Sequence, residues 1–223
     1  MDVKELQRRV GVAADGVCGP QTRAAIVNAI TNIDAPAITP ADIERAAIEL
    51  DVSPAIIRAV RKVEAPRGAF DSRGRISILY ERHYFSKATG GRFDQAHPDL
   101  SGPARGGGGY GTYSQQYDRL TAACALDPSA AFASCSWGAF QVMGAHADKL
   151  HYGAPFEMAM VLSVSERAHL DSFVRYVKAF GLVDALRQCR AGDAESCVAF
   201  VAGYNGPDHA RFGYAPKLAE AAR

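Results

Sequence analysis

The sequence predicts a mainly helical fold with a small β element, preceded by a short N-terminal helical module, and three observations support this. Apolar residues recur at helical spacing along most of the 223 residues. Proline follows Gly19, Thr39 and Ser53 where such runs begin, at the position that a helix's first turn tolerates best. One short segment, Ile76 to Tyr80, is β-branched and aromatic and reads as a strand. The hydrophobic share of 48% and charged share of 22% match ordinary globular chains, which excludes disorder and collagen-like repeats.

In chain order, Val3, Leu6, Gln7 and Val10 place a stripe on a first helix that stops at Gly11. Asp15-Gly16 is a turn, and Gly19-Pro20 opens a second helix with Ala24, Ala25, Ile26, Ala29 and Ile30 on its apolar face. Thr31 to Thr39, with Asp34-Ala35-Pro36, reads as a linker, which divides the chain into a helical module over 1–36 and a larger domain over 37–223. Thr39-Pro40 opens the next helix, with Asp42 and Glu44 in the first turn where the helix dipole favours acids. Ser53-Pro54 opens another that buries Ile56, Ile57, Val60 and Val63. It ends at Glu64, because Ala65 precedes Pro66 and resists the helical region. Gly102 to Gly111 is glycine-dense and reads as a loop. It lacks the strand before and the Lys-Ser/Thr after that a phosphate cradle needs, so a substrate-flanking loop is the expectation. Helices follow at 114–126, 128–134, 140–150, 155–163, 166–180, 182–190 and 194–203.

Charge narrows the function classes. Twenty-five Lys+Arg against 24 Asp+Glu leave a net charge of +1, without the basic excess that phosphate contacts require, so nucleic acid is not an expected partner. The first residues show no basic-then-apolar signal, and no window approaches the ~18 apolar residues of a membrane span. The expectation is a chain made and folded in a cytoplasm, with no stable membrane insertion. Five cysteines, Cys18, Cys124, Cys135, Cys189 and Cys197, include no CxxC pair. They read as reduced and buried, although Cys189 and Cys197 are spaced to close a small loop. His146, Asp148 and His151 are the nearest approach to a metal cluster and read as a solvated helix face, so neither metal nor cofactor is expected.

The carboxylates are more informative. Glu64 ends an amphipathic helix between Val63 and Ala65-Pro66, where desolvation and the negative end of the helix dipole both favour a retained proton, as a general acid needs. The alternative is a surface Glu at a frayed helix end. Glu81 closes the apolar strand and could face Glu64 across a cleft as the second carboxylate of a glycosidase. A structural ion pair with Arg82 or His83 is the competing reading. Spacing alone leaves both undecided.

Further segments carry a resemblance. Ser136 to Gly144 (SWGAFQVMG) and Ala202 to Pro207 (AGYNGP), together with a helix-end Glu, resemble the goose-type lysozyme and lytic transglycosylase superfamily. Val63-Glu64, Ile78 to Phe85 (ILYERHYF), Thr89 to Asp94 (TGGRFD) and the Ser136 to Gly144 run are similar to the phage N-acetylmuramidase family of modular endolysins, with Ala65 where that family usually has Ser. The resemblance implies a lysozyme-like α+β catalytic domain that hydrolyses the β-1,4 bond between N-acetylmuramic acid and N-acetylglucosamine. It implies Glu64 as general acid, Glu81 as second carboxylate, and Ser136, Gln141, Tyr204 and Asn205 at the sugar cleft, with Trp137 in the core. Peptidoglycan glycan strands are the implied partner. The chain would wait in the host cytoplasm until a holin opens the membrane and would then reach the periplasm and wall. A lytic transglycosylase leaving 1,6-anhydro ends and a non-catalytic wall-binding protein are the alternatives.

Asp15-Gly16-Val17-Cys18-Gly19-Pro20-Gln21-Thr22 resembles the D-G-x-x-G-P-x-T core of small helical peptidoglycan-binding modules, though the match is shorter than a full three-helix module. Asp15, Gly16, Gly19, Pro20 and Thr22 are the residues it implies for wall binding; a helical hairpin merely packed on the catalytic domain is the other reading. Residues 1–36 hold four bases (Lys4, Arg8, Arg9, Arg23) and four acids (Asp2, Glu5, Asp15, Asp34), so any wall attachment rests on shape and hydrogen bonds.

Overall fold

Helix boundaries fall where proline and small polar residues put them. The computed structural model describes residues 1–66, 68–104 and 110–223. Residues 105–109 of the glycine-dense run, expected as a substrate-flanking loop, lie outside the described residues. The elements are α1 (Val3–Arg9), α2 (Pro20–Ala29), α3 (Pro40–Leu50), α4 (Pro54–Glu64), β1 (Ile78–Tyr80), α5 (Arg82–Ala88), α6 (Gln116–Cys124), α7 (Pro128–Ala133), β2 (Cys135–Trp137), β3 (Val142–Met143), α8 (Pro155–Leu162), α9 (Glu166–Ala179), α10 (Val183–Gln188), α11 (Ala194–Asn205) and α12 (Tyr214–Ala221). Proline opens α2, α3, α4, α7 and α8. Thr39 and Asp42 form a reciprocal capping box, and Ser53, Asp127, Ser165 and Asp193 each accept a backbone N–H in the first turn that follows.

The sheet is small, antiparallel and ordered β1-β2-β3, with Ile78 opposite Trp137, Tyr80 opposite Cys135, and Ser136 opposite Met143. All three β2 residues are buried, so the sheet is a core element enclosed by helices. Trp137 is inaccessible, stacks on Phe132 at 5.7 Å and donates its indole N–H to the Phe132 carbonyl at 3.2 Å, so it is core, as the sequence suggests. His169 is also inaccessible. Its Nδ1 accepts from the Ala139 N–H at 3.1 Å, which leaves Nε2 to donate to the Leu162 carbonyl at 2.7 Å. Burial pushes its pKa down to about 4, so it stays neutral.

Three expectations need correction. Residues 140–150 do not form a helix: Gln141 sits in the left-handed region (φ 48°), β3 follows, and only a 3-10 turn spans Gly144–His146. His146 is accordingly not on a solvated helix face. It packs edge-on against Tyr176 and Phe180 at 5.5 and 4.8 Å. Helices α5 and α12 were not anticipated, because each is short and lacks a side-chain cap hydrogen bond at its start.

Residues 1–36 form the expected helix-turn-helix, which packs on the rest of the chain through a continuous core. Leu6, Ile26 and Ile30 are inaccessible and join the same apolar cluster as Leu120 and Phe132. Arg9 pairs with Glu157, and the Asn32 and Glu166 N–H groups donate to the carbonyls of Gly74 and Pro36 at 2.8 and 3.0 Å.

Gly144 allows a close backbone approach between the sheet and α7. A Cβ there would lie 2.2 Å from the Phe132 carbonyl oxygen and 3.0 Å from the Trp137 Nε1. Gly144→Ala should therefore destabilise the fold by about 2–3 kcal/mol, as overpacking does. Urea unfolding checks this, and an unchanged midpoint would count against the packing described.

Candidate active site

Two helix C-termini meet at Glu64. α4 buries Ile56, Ile57 and Val60, which fixes its rotation. It stops at Glu64, with Ala65 leaving the helical region (φ −128°, ψ 70°) ahead of Pro66. α11 stops at Asn205, where Gly206 takes φ 78°. The Asn205 Nδ2 donates to Glu64 Oε1 at 2.8 Å. Burial raises the Glu64 pKa from 4.5 to about 7, and the Asn205 hydrogen bond holds it back only in part. The frayed surface Glu of the competing reading is not what the structure contains.

Glu81 follows β1 and stands before α5, with its backbone N–H donated to the Ser134 carbonyl at 2.8 Å. Its side chain is 18% exposed, and burial lifts its pKa to about 7 as well. His83 Nε2 lies 3.6 Å from Glu81 Oε2, and burial lowers the His83 pKa, which disfavours a charged pair. Tyr214, at the start of α12, lies in the field of both acids: burial first, and then the negative charges of Glu64 and Glu81, push its pKa up to about 12. Tyr84 lies in the field of Glu81.

The remaining predicted positions are tied into the structure around α4, α11 and the sheet by hydrogen bonds. Ser136 is buried and donates to Gln141 Oε1 at 2.8 Å; Gln141 Nε2 donates to the Gly138 and Ser77 carbonyls at 2.8 and 3.3 Å. This ties the β2–β3 turn to the segment that leads from Glu64 to β1. Tyr204 donates to the Phe140 carbonyl at 2.6 Å and packs its ring among Phe173, Tyr176 and Phe200. The end of α11, and with it Asn205, is thereby fixed against Gly138–Phe140, the turn that also packs on α4.

Asp15, Gly16, Gly19, Pro20 and Thr22 lie in the hairpin. The buried Gln7 amide organises them, donating to Asp15 Oδ1, the Val17 carbonyl and Thr22 Oγ1 at 2.7–3.1 Å and accepting from the Gly16 N–H. Thr22 is 3% exposed, so its hydroxyl serves the turn. Among the described residues, no group of three or more His, Cys, Asp or Glu is placed to hold a metal, and no helix is long and apolar enough to cross a membrane. Sequence reasoning named His83 only as an ion-pair partner of Glu81, and it missed Tyr214. No local pattern marks Tyr214, whose place in the field of both acids depends on how α12 packs on α4 and α11.

A family model described as Muramidase, N-acetylmuramidase, matches residues 53–223, from the cap of α4 to the last residue, and so contains Glu64, Glu81 and the whole sheet. The chain belongs to the N-acetylmuramidase family. That makes it a peptidoglycan hydrolase by class, with a lysozyme-like α+β fold. Among solved structures, the crystal structure of a Burkholderia AP3 phage endolysin is similar, with a TM-score of 0.72 and 32% identity over 100% of this chain and 94% of that one. No curated protein matches the muramidase chain.

The Asn205 amide stabilises the ionised form of Glu64. Asn205→Ala should therefore move the Glu64 midpoint above about 7. Carboxyl-carbon NMR of protein labelled at Glu checks this; a midpoint unchanged or lowered would contradict the assigned hydrogen bond.

Proposed function

We propose that this protein is a phage endolysin that lyses its host by hydrolysing the β-1,4 bond between N-acetylmuramic acid and N-acetylglucosamine. The carrying observation is the buried Glu64 carboxyl at the end of α4, whose Oε1 accepts from Asn205 at 2.8 Å and whose pKa burial raises to about 7. In this reading Glu64 is the general acid. Asn205 occupies Oε1, which leaves Oε2 to carry the proton to the glycosidic oxygen. Glu81 is the second carboxylate and, when ionised, steadies the oxocarbenium-like transition state or positions water. Asn205 meets the reacting sugar beside the acid, while Ser136, Gln141 and Tyr204 shape the cleft wall. Proton transfer and positioning suffice, without a cofactor.

The peptidoglycan glycan strand is the proposed partner, with the chain held in the host cytoplasm until a holin gives access to the periplasm and wall. The likeness to a phage endolysin supports this, as do five free, buried thiols, the state a reducing cytoplasm maintains. Lysis should then require permeabilised cells.

Glu64→Gln should fold normally and lose at least about 10²-fold in turbidity-clearing rate; a folded and fully lytic variant would end the proposal. Glu81→Gln should also be impaired. A near-normal rate would reduce Glu81 to a structural role. Because one acid must keep its proton and the other lose it, wild-type activity should follow a narrow bell centred near pH 7. Mass spectrometry of the muropeptides should find reducing ends; 1,6-anhydro ends would identify a transglycosylase acting through the same Glu64.

We further propose that residues 1–36 bind the wall through the Asp15 to Thr22 turn. Its support is the motif and Val17, whose side chain is 65% exposed at the turn's tip. Val17→Asp in the Glu64→Gln chain should weaken cosedimentation with purified sacculi without changing Tm. Unaltered binding would leave the hairpin a packing element only.

A further inference from the structure

Helices α10 and α11 meet in a tight, well-bonded corner. Cys189 caps the end of α10, and the chain turns through Arg190 to Asp193, whose backbones form an isolated β-bridge. Asp193 then caps α11, and Ser196 Oγ closes the corner by accepting from the Arg190 N–H at 2.9 Å and donating to the Asp193 carbonyl at 2.6 Å. Cys197 lies in the first turn of α11. Cys189 and Cys197 each adjoin one partner of the Arg190–Ser196 hydrogen bond, so the two reduced thiols flank one braced turn, each donating along its own helix, to the Ala185 and Asp193 carbonyls at 3.6 Å. Reach differs between them. Cys197 is inaccessible, whereas Cys189, 7% exposed, lines an open groove of about 770 Å³ between α3, the start of α4 and α10, with Ala47, Asp51, Ser53 and Arg187 on its walls. Cys124 and Cys135, by contrast, are sealed in the core.

We propose that Cys189 and Cys197 are an oxidisable pair, a covalent modification site that closes to an intramolecular disulfide when the folded protein meets a small-molecule disulfide. With oxidised glutathione as the oxidant, the Cys189 thiol loses its proton to solvent. The thiolate attacks one glutathione sulfur through the groove, breaking the glutathione S–S bond and releasing one glutathione thiolate. Cys197, deprotonated in turn, attacks the Cys189 sulfur and expels the second glutathione thiolate. The two expelled thiolates take up the two protons, so two cysteines are oxidised as one glutathione disulfide is reduced. Burial holds the first step slow, because it disfavours the Cys189 thiolate. The bond would lock α10 to α11, the helix whose far end carries Tyr204 and Asn205.

The test uses the full-length reduced protein, incubated under native conditions with oxidised glutathione, alkylated after denaturation and digested with trypsin. Cleavage after Arg190 separates the two cysteines, so the expected product is peptide 188–190 joined by a disulfide to peptide 191–211, with Cys18, Cys124 and Cys135 alkylated. Tm should rise by about 5 °C, and dithiothreitol should reverse the rise. Cys197→Ser should instead accumulate a stable glutathione adduct on Cys189. Alkylation at all five cysteines, or a glutathione adduct persisting on Cys189 in the wild-type protein, would overturn the proposal without recourse to any variant's folding.

Discussion

The carboxyl of Glu64 has to stay dry enough to keep a proton near neutrality and open enough to meet a substrate. Two helices ending at the same point satisfy both demands. The carbonyl ends of α4 and α11 present the negative poles of their dipoles to the acid, burial removes most of its hydration, and each effect favours the neutral form. Asn205 supplies the opposing pull, one neutral donor on one oxygen. A cation in its place would hold the acid ionised; an apolar residue would leave it unoriented.

That meeting point is only as rigid as what holds the two helix ends. Tyr204, one residue before Asn205, is fixed to the Phe140 carbonyl, and the Gly138–Phe140 turn is in turn seated on His169 through the Ala139 N–H. Gly138 takes φ 72° there, and a Cβ would stand 2.5 Å from the His169 ring nitrogen. On the other side, Gln141 joins the same turn to the Ser77 carbonyl. The short sheet thus serves as a bracket between the segment after Glu64 and the helices behind Asn205. This accounts for a three-stranded sheet in a helical protein being interior at every residue but the half-buried Leu79.

Much of this was legible in the sequence, for identifiable reasons. Proline at helix starts and the Ala65-Pro66 stop act through local sterics, so α2, α3 and α4 and the terminal position of Glu64 follow from neighbours in the chain. The failures lie where distant contacts override local preference. Ala139, Phe140, Val142 and Met143 read as helix formers, yet Gln141 is held left-handed by hydrogen bonds to Gly138 and Ser77, the latter 64 residues away. The Asp15 to Thr22 motif was readable as a turn, but not the fact that Gln7 engages its polar side chains from within. Tyr214 had no local signature at all, since it enters the field of both acids only through the packing of α12 on α4 and α11.

Buried titratable groups give the fold a pH dependence that works against itself. Glu64 and Glu81, raised from 4.5 to about 7, favour the folded state fully below pH 4.5, and that advantage is lost as pH rises to 7. Each such shift corresponds to on the order of 3 kcal/mol. His169, lowered from 6.5 to about 4, acts in the opposite sense: the unfolded chain takes up its proton first, so stability falls as pH drops through that window. Between pH 4.5 and 6.5 the histidine therefore cancels about one of the two acids, and the fold carries the net burden of a single carboxyl. The neutral histidine braces the turn that fixes Asn205, and Asn205 orients the acid. The element that keeps the site rigid thus also offsets part of the pH sensitivity that the site imposes on the fold.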